Sequence, residues 1–120
     1  MIKVAVLLAL ASTGAEALED LTANSFLPGC HAYVQGNERQ NEAEECVSYV
    51  AGVLDGVSAQ AIWDSKPYPF CLPSVPLRQY VNVVTKYMDT HPDDHKLMFA
   101  TVIFKAMREA WPCSKLKEGK

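Results

Sequence analysis

The sequence predicts an all-α fold, a small four-helix domain of two helical hairpins with two disulfides. Apolar residues recur at positions i, i+3, i+4 and i+7 along several segments, which is typical of amphipathic helices. No convincing run alternates apolar and polar residues, so strands are not expected. Four cysteines in a 120-residue chain with an export signal indicate a disulfide framework.

The first 17 residues have the layout of a secretory signal peptide. Lys3 is followed by an apolar run, 4–11, and the small residues Ala15 and Ala17 predict cleavage after residue 17. The apolar run is too short to span a bilayer. We therefore expect an exported product of one helical domain, 18–120, without a membrane anchor. The alternative is an N-terminal helix that stays in the fold.

The charge of the chain excludes one class of partner. The formal net charge is −3, and the two signs are mixed along the sequence. A nucleic-acid-binding protein would show a basic stripe, so no nucleic acid is expected as a partner. The basic tail, 114–120, is polar and is expected to be mobile.

The first predicted helix is short. Thr22 or Asn24 can cap it, and it reaches about Tyr33. Pro28 is expected in or near its first turn, where proline is tolerated.

The second predicted helix is the longest and runs from about 42 to 62. Asn41 is placed to cap it, and Glu44 would complete a capping box. Gly52 and Gly56 continue a strip of small residues spaced four apart. Each interior glycine costs roughly 1 kcal/mol relative to alanine. We therefore expect this strip to pack closely against another helix.

The third and fourth helices form the second predicted hairpin. The third begins near Pro76, because proline suits a first helical position, and it stops before Pro92. Asp93 and Asp94 are expected at the N-terminus of the fourth helix, where negative charge is favoured. The fourth helix reaches about Trp111 and is apolar around most of its circumference. One neighbour cannot cover that surface, so a symmetric homodimer is possible.

The two hairpins predict how the cysteines pair. Residues that face each other across a hairpin have a midpoint in sequence near the turn. That midpoint is 38 for Cys30 and Cys46, inside a polar loop, and 92 for Cys71 and Cys113, at the second turn. A four-cysteine metal site is the competing interpretation, but no C-x-x-C pair occurs, so no metal or other cofactor is expected.

A set of motifs runs through the chain in a recognisable order: Cys30, Cys46-x-x-Tyr-Val-x-Gly-Val-x-Asp-Gly56, Phe70-Cys71-Leu-Pro73, Val83-Val84-x-x-Tyr87, His91-Pro92 and Ala110-Trp-Pro-Cys113. Together these motifs resemble the Rap/Tai immunity proteins, and the resemblance covers nearly the whole exported chain. The sequence departs from the family at Pro28-Gly29, where ordinary helix formers are usual, and at Pro76, where a threonine cap is commoner.

This resemblance implies a function without catalysis. Proteins of this kind are periplasmic antidotes that bind and block type VI secreted peptidoglycan amidases. The expected partner is therefore a cognate amidase toxin. A periplasmic acid-stress chaperone and a helical module that carries a ligand remain as alternatives.

No convincing catalytic site competes with this interpretation. His91, Asp94 and His95 form the best cluster of ionisable residues, but Pro92 places His91 at a helix cap rather than on a regular face. Asp55 lies in an apolar stretch of the second helix and is expected to be a buried acceptor. No serine or cysteine nucleophile has a recognisable base nearby.

The segment Trp63–Pro73 is the expected contact with the toxin. It holds three aromatic residues, and its prolines limit the entropy lost on binding. The alternative is that Trp63 and Phe70 simply cover the core beside Cys71, and for Phe70 this is what we expect. Lys66 and Tyr68, with Arg78, are expected to enter or line the edge of the toxin's cleft. The turn that contains His91, Asp93 and Asp94 is the rival contact site.

Overall fold

The computed structural model describes residues 21–65 and 69–113, and these form an all-α domain. The predicted signal peptide, 1–17, and the tail, 114–120, lie outside the described residues. A short 3-10 turn, Pro92–Asp94, precedes the last helix. The helices are α1 (Ala23–Val34), α2 (Asn41–Asp64), α3 (Leu77–Thr90) and α4 (Phe99–Ala110).

Both predicted disulfides are confirmed. Cys30 on α1 bonds to Cys46 on α2 with a Cα–Cα distance of 5.3 Å. Cys71 before α3 bonds to Cys113 after α4 with a Cα–Cα distance of 4.8 Å. Each bond therefore closes one hairpin, as the midpoint argument requires.

The two hairpins share one core, because α1 packs against α3 as well as against α2. The apolar faces predicted from the helical spacing point into it. Its largest fully buried side chains are Phe70, Phe99, Met88, Ile103, Met107, Val50, Val81, Val84 and Val102.

The prediction that Asp93 and Asp94 begin the fourth helix is wrong. They lie in the 3-10 turn, and α4 begins at Phe99. Residues 95–97 form turns and a bend, and Met98 pairs with Thr22 in the chain that enters α1. The Phe99 N–H donates to the carbonyl of Leu21 at 2.8 Å, and a bridge joins neighbouring positions of these two segments.

The predicted cap of α2 is also wrong by one residue. Gln40 occupies the cap, Asn41 is the first helical residue, and the Gln40 side chain makes no capping hydrogen bond. The Glu44 N–H donates to the Gln40 carbonyl instead, at 3.1 Å.

Pro28 lies in the second turn of α1 rather than the first. Pro76 occupies the cap of α3, just outside the helix.

Close helix packing occurs at a different glycine from those predicted. A Cβ added at Gly52 or Gly56 would meet no atom within 4 Å, so the small-residue strip packs against nothing among the described residues. A Cβ at Gly29 would lie 2.1 Å from the backbone oxygen of Glu42. The absence of a side chain at Gly29 therefore allows α1 to approach the start of α2.

We expect Gly29→Ala to lower the free energy of unfolding by roughly 1–3 kcal/mol, because the new methyl group overlaps backbone that has to move. Gly52→Ala is the matched control. It adds the same group in open space within a helix and is expected to stabilise by up to about 1 kcal/mol. Urea unfolding of both variants measures the difference. Equal effects at the two sites would show that α1 and α2 do not meet closely at Gly29.

Candidate effector-binding surface

The second half of α2 extends beyond the core. Its 24 residues make a helix about 36 Å long. Its buried residues are all in the first part: Ala43, Cys46, Val50 and Leu54. From 55 to 64 no residue is buried. The end of α2 is therefore free to contact another molecule.

Two large apolar side chains lie on the last turns of this free end. Ile62 is 76% exposed and Trp63 is 86% exposed. An aliphatic and an aromatic side chain side by side in water are typical of an interaction site. Trp63 therefore does not cover the core. Phe70 does: it is completely buried and packs edge to face on Phe104, with ring centroids 5.4 Å apart.

A groove of about 460 Å³ lies beside this helix end. Phe104 of α4 forms part of it and is 37% exposed. Gly56 adds no side chain to it, which keeps it open. We call Ile62, Trp63 and this groove the α2-end surface. The groove is lined by Val53, Gly56, Val57, Gln60, Ala61, Asp64, Pro69 and Phe104.

A few polar groups border the apolar surface. The Gln60 side chain donates a hydrogen bond to the Asp64 carboxylate, so these two polar groups are hydrogen-bond partners of each other. Asp55 is exposed on α2, so the prediction that it is a buried acceptor is wrong. It fails because no described residue packs on that side of α2.

A second cleft, of about 670 Å³, lies between α3 and α4 at the second turn. The His91 ring stacks on the Tyr87 ring with centroids 3.8 Å apart. Its Nδ1 lies 2.8 Å from the Tyr87 carbonyl oxygen, which can only accept, so Nδ1 is the donor. Its Nε2 lies 3.8 Å from the Glu109 carboxylate.

Asp94 links this turn to α4. Its carboxylate accepts a hydrogen bond of 2.7 Å from the Tyr87 hydroxyl and lies 2.9 Å from Lys105 Nζ. The hydrogen bond from Tyr87, followed by that from Lys105, lowers the pKa of Asp94. Burial, followed by the Asp94 hydrogen bond and charge, raises the pKa of Tyr87 to about 12. Asp94 is therefore held in place within the fold.

The comparisons with known proteins identify the family. A model of the Rap1a immunity proteins matches residues 22–113. The chain belongs to this family. A comparison with curated proteins gave no match, and neither did a comparison with solved structures.

In this Rap1a family member, the structure describes only part of the predicted contact set. Lys66 and Tyr68 lie outside the described residues, directly after the end of α2. Arg78 lies on the first turn of α3, and its side chain reaches the turn between α1 and α2: the guanidinium is 4.7 Å from the centre of the Tyr33 ring and forms an ion pair with Glu38.

The residues of the rival contact site lie together at the turn between α3 and α4. Asp93 is exposed there, whereas His91 and Asp94 are partly buried and bonded to neighbours. The exposed Ile62 was missed at the sequence level. The sequence does contain a sign of this exposure: Ile62 and Trp63 fall outside the apolar stripe that predicts the core-facing side of α2.

Residues 21–65 and 69–113 contain neither a cluster suited to a metal ion nor a helix suited to crossing a membrane. No group of three histidine, cysteine, aspartate or glutamate residues among them could hold a metal ion. None of the described helices has the length and hydropathy needed to cross a membrane.

The acid sensitivity of the Tyr87–Asp94 pair gives a further prediction. Because the folded-state pKa of Asp94 is lowered, its contribution to stability is present above about pH 4 and is lost as pH falls through the folded-state value. Tyr87→Phe removes the hydrogen bond that is the largest cause of the lowered pKa of Asp94. We expect the variant to lose less unfolding free energy than the wild type between about pH 4 and about pH 2.

Tyr80→Phe is the matched control for this experiment. The Tyr80 hydroxyl donates to the Pro73 carbonyl, which does not titrate, so the acid dependence of the control should follow the wild type. Denaturant unfolding at a series of pH values measures all three proteins. Parallel curves for wild type and Tyr87→Phe would show that the hydroxyl does not shift Asp94.

Proposed function

We propose that this chain is a periplasmic immunity protein that binds and blocks a type VI secreted peptidoglycan amidase, and that the α2-end surface is the contact. The family assignment supports the immunity role. The single observation that supports the contact is the exposed pair Ile62 and Trp63 on the last turns of α2, the same helix end whose other positions line an apolar groove.

The proposed compartment rests on the cysteines and the N-terminal sequence. All four cysteines are paired, which is typical of proteins that mature in oxidising compartments. The first 17 residues have the sequence pattern of an export signal. A peptidoglycan amidase acts on the cell wall, so an antidote to it is needed on the same side of the inner membrane.

The proposed mode of inhibition is occlusion of the toxin's cleft. Tryptophan has few rotatable bonds and a large apolar area, so it anchors an interface at low entropic cost. Trp63 is held on a regular helix, and the first disulfide ties that helix to α1. Lys66 and Tyr68 follow in the chain, so we include them in the proposed contact. Arg78 lies beside the turn that precedes α2, at the other end of that helix, so it stays a separate proposed contact. The homodimer remains a separate proposal.

A protection assay in bacterial cells tests this function. The probe is a cognate type VI secreted peptidoglycan amidase, directed to the periplasm with its own export signal. We expect lysis when it is produced alone and survival when this chain is produced with its residues 1–17. A chain that lacks residues 1–17 should give no protection, because it stays in the wrong compartment. Equal survival with and without residues 1–17 would contradict the periplasmic proposal.

A further inference from the structure

The two disulfides differ in their access to solvent. Cys30 and Cys46 are both completely buried. Cys71 and Cys113 are both partly exposed. Thiol–disulfide exchange requires a thiolate to reach one sulfur of the bond. The first disulfide can therefore react only after α1 and α2 separate, whereas the second lies at the surface of the folded domain.

An open cleft leads to the exposed disulfide. It has a volume of about 440 Å³ and is large enough for a small thiol. It lies where the end of α2 faces the segment before α3. The cleft is lined by Ser58, Cys71, Leu72 and Tyr80.

We propose that Cys71–Cys113 is a thiol–disulfide exchange site for external dithiols, and that its opening releases the segment that follows the α2-end surface. An external thiolate attacks the Cys71 sulfur and breaks the Cys71–Cys113 bond, so that the Cys113 sulfur leaves as a thiolate and is then protonated. The second thiol of the dithiol, once deprotonated, displaces Cys71. The dithiol ends as a disulfide, and the protein gains two electrons and two protons as two thiols.

The released segment connects the α2-end surface to α3. At its end, the Cys71 N–H donates to the Trp111 carbonyl at 2.9 Å, beside the disulfide. Phe70 is buried against Phe104 and belongs to the same core as the four helices. Opening the bond therefore loosens residues 71–73, while the buried Phe70 stays in place and the domain stays folded. The consequence for toxin binding rests on the proposed function.

Alkylation after mild reduction tests the exchange site on the folded protein. The exported, oxidised chain is treated with dithiothreitol without denaturant, and free thiols are trapped at intervals and mapped. We expect Cys71 and Cys113 to be trapped at least about tenfold faster than Cys30 and Cys46, because only the buried pair, Cys30 and Cys46, needs global opening. Equal rates for the two pairs, or faster reaction of the buried pair, would overturn the proposal.

Two double variants test which disulfide gives the fast reaction. Cys30→Ala with Cys46→Ala should keep the fast reaction, and Cys71→Ala with Cys113→Ala should abolish it. Hydrogen exchange then reports the structural effect. We expect the Cys71 amide to lose about tenfold or more of its protection on mild reduction while amides inside α1 keep theirs. Unchanged protection at Cys71 would overturn the release of the segment. Neither readout uses the toxin, so a failure of the proposed function is seen separately.

Discussion

Replacing Cys71 and Cys113 together by alanine is expected to lower the free energy of unfolding by about 4 kcal/mol. The bond joins residues separated by 42 positions, and the unfolded chain gains the freedom that the loop had removed. The same change at Cys30 and Cys46, separated by 16 positions, should lower the free energy of unfolding by about 3 kcal/mol through the same gain in chain freedom. The cavity left in the core by the two removed sulfurs should lower it further.

Denaturant unfolding under oxidising and reducing conditions measures these effects. Strong reductant should lower the stability of the wild type, while each paired variant should lose only the contribution of its remaining bond. A variant that unfolds at the same denaturant concentration as the oxidised wild type would show that its disulfide adds nothing to the stability of the fold.

Trp63→Ala is expected to weaken binding to the toxin by about 30-fold or more, which corresponds to about 2 kcal/mol for an aromatic anchor at an interface. The side chain is 86% exposed, so the free energy of unfolding should change by less than about 0.5 kcal/mol. Ile62→Ala should act in the same direction with a smaller effect. Titration calorimetry with the purified amidase measures both.

Asp93→Ala is the matched control for these variants, because Asp93 is exposed at the rival turn. We expect it to bind the toxin as the wild type does. If Asp93→Ala or His91→Ala weakens binding while Trp63→Ala leaves it unchanged, the turn and not the α2-end surface is the contact.

The hairpins and disulfides could be predicted because they depend on features that are local in sequence. The helical spacing and the polar turns set the positions of the hairpins, and the pairing of Cys30 with Cys46 follows from them. The start of α4 could not be predicted in this way. It depends on a backbone hydrogen bond between Phe99 and Leu21, which are far apart in the chain.

The sequence pattern also could not predict which glycine lies where two helices pack closely. Gly52 and Gly56 have regular helical spacing but face open space, whereas the isolated Gly29 lies against the backbone of Glu42. Which glycine lies at a helix crossing depends on where the helices meet in space. Periodicity along one helix does not contain that information.

The candidate site was predictable in its location and less so in its residues. The proline-rich segment after α2 drew attention to this part of the chain, and Phe70 was correctly assigned to the core. The exposure of Ile62 and Trp63 follows from the extension of α2 past its neighbours, which depends on the lengths and angles of the other helices. Phe104 joins the groove from α4 through tertiary packing alone.

Titration of the purified amidase with the oxidised chain, with peptidoglycan hydrolysis as the readout, tests the central claim most directly. We predict that hydrolysis falls linearly with added protein and stops near molar equivalence. The Trp63→Ala variant should require a large excess, while Asp93→Ala should match the wild type. Full hydrolysis in the presence of excess oxidised wild-type protein would contradict the proposal that this chain blocks the amidase.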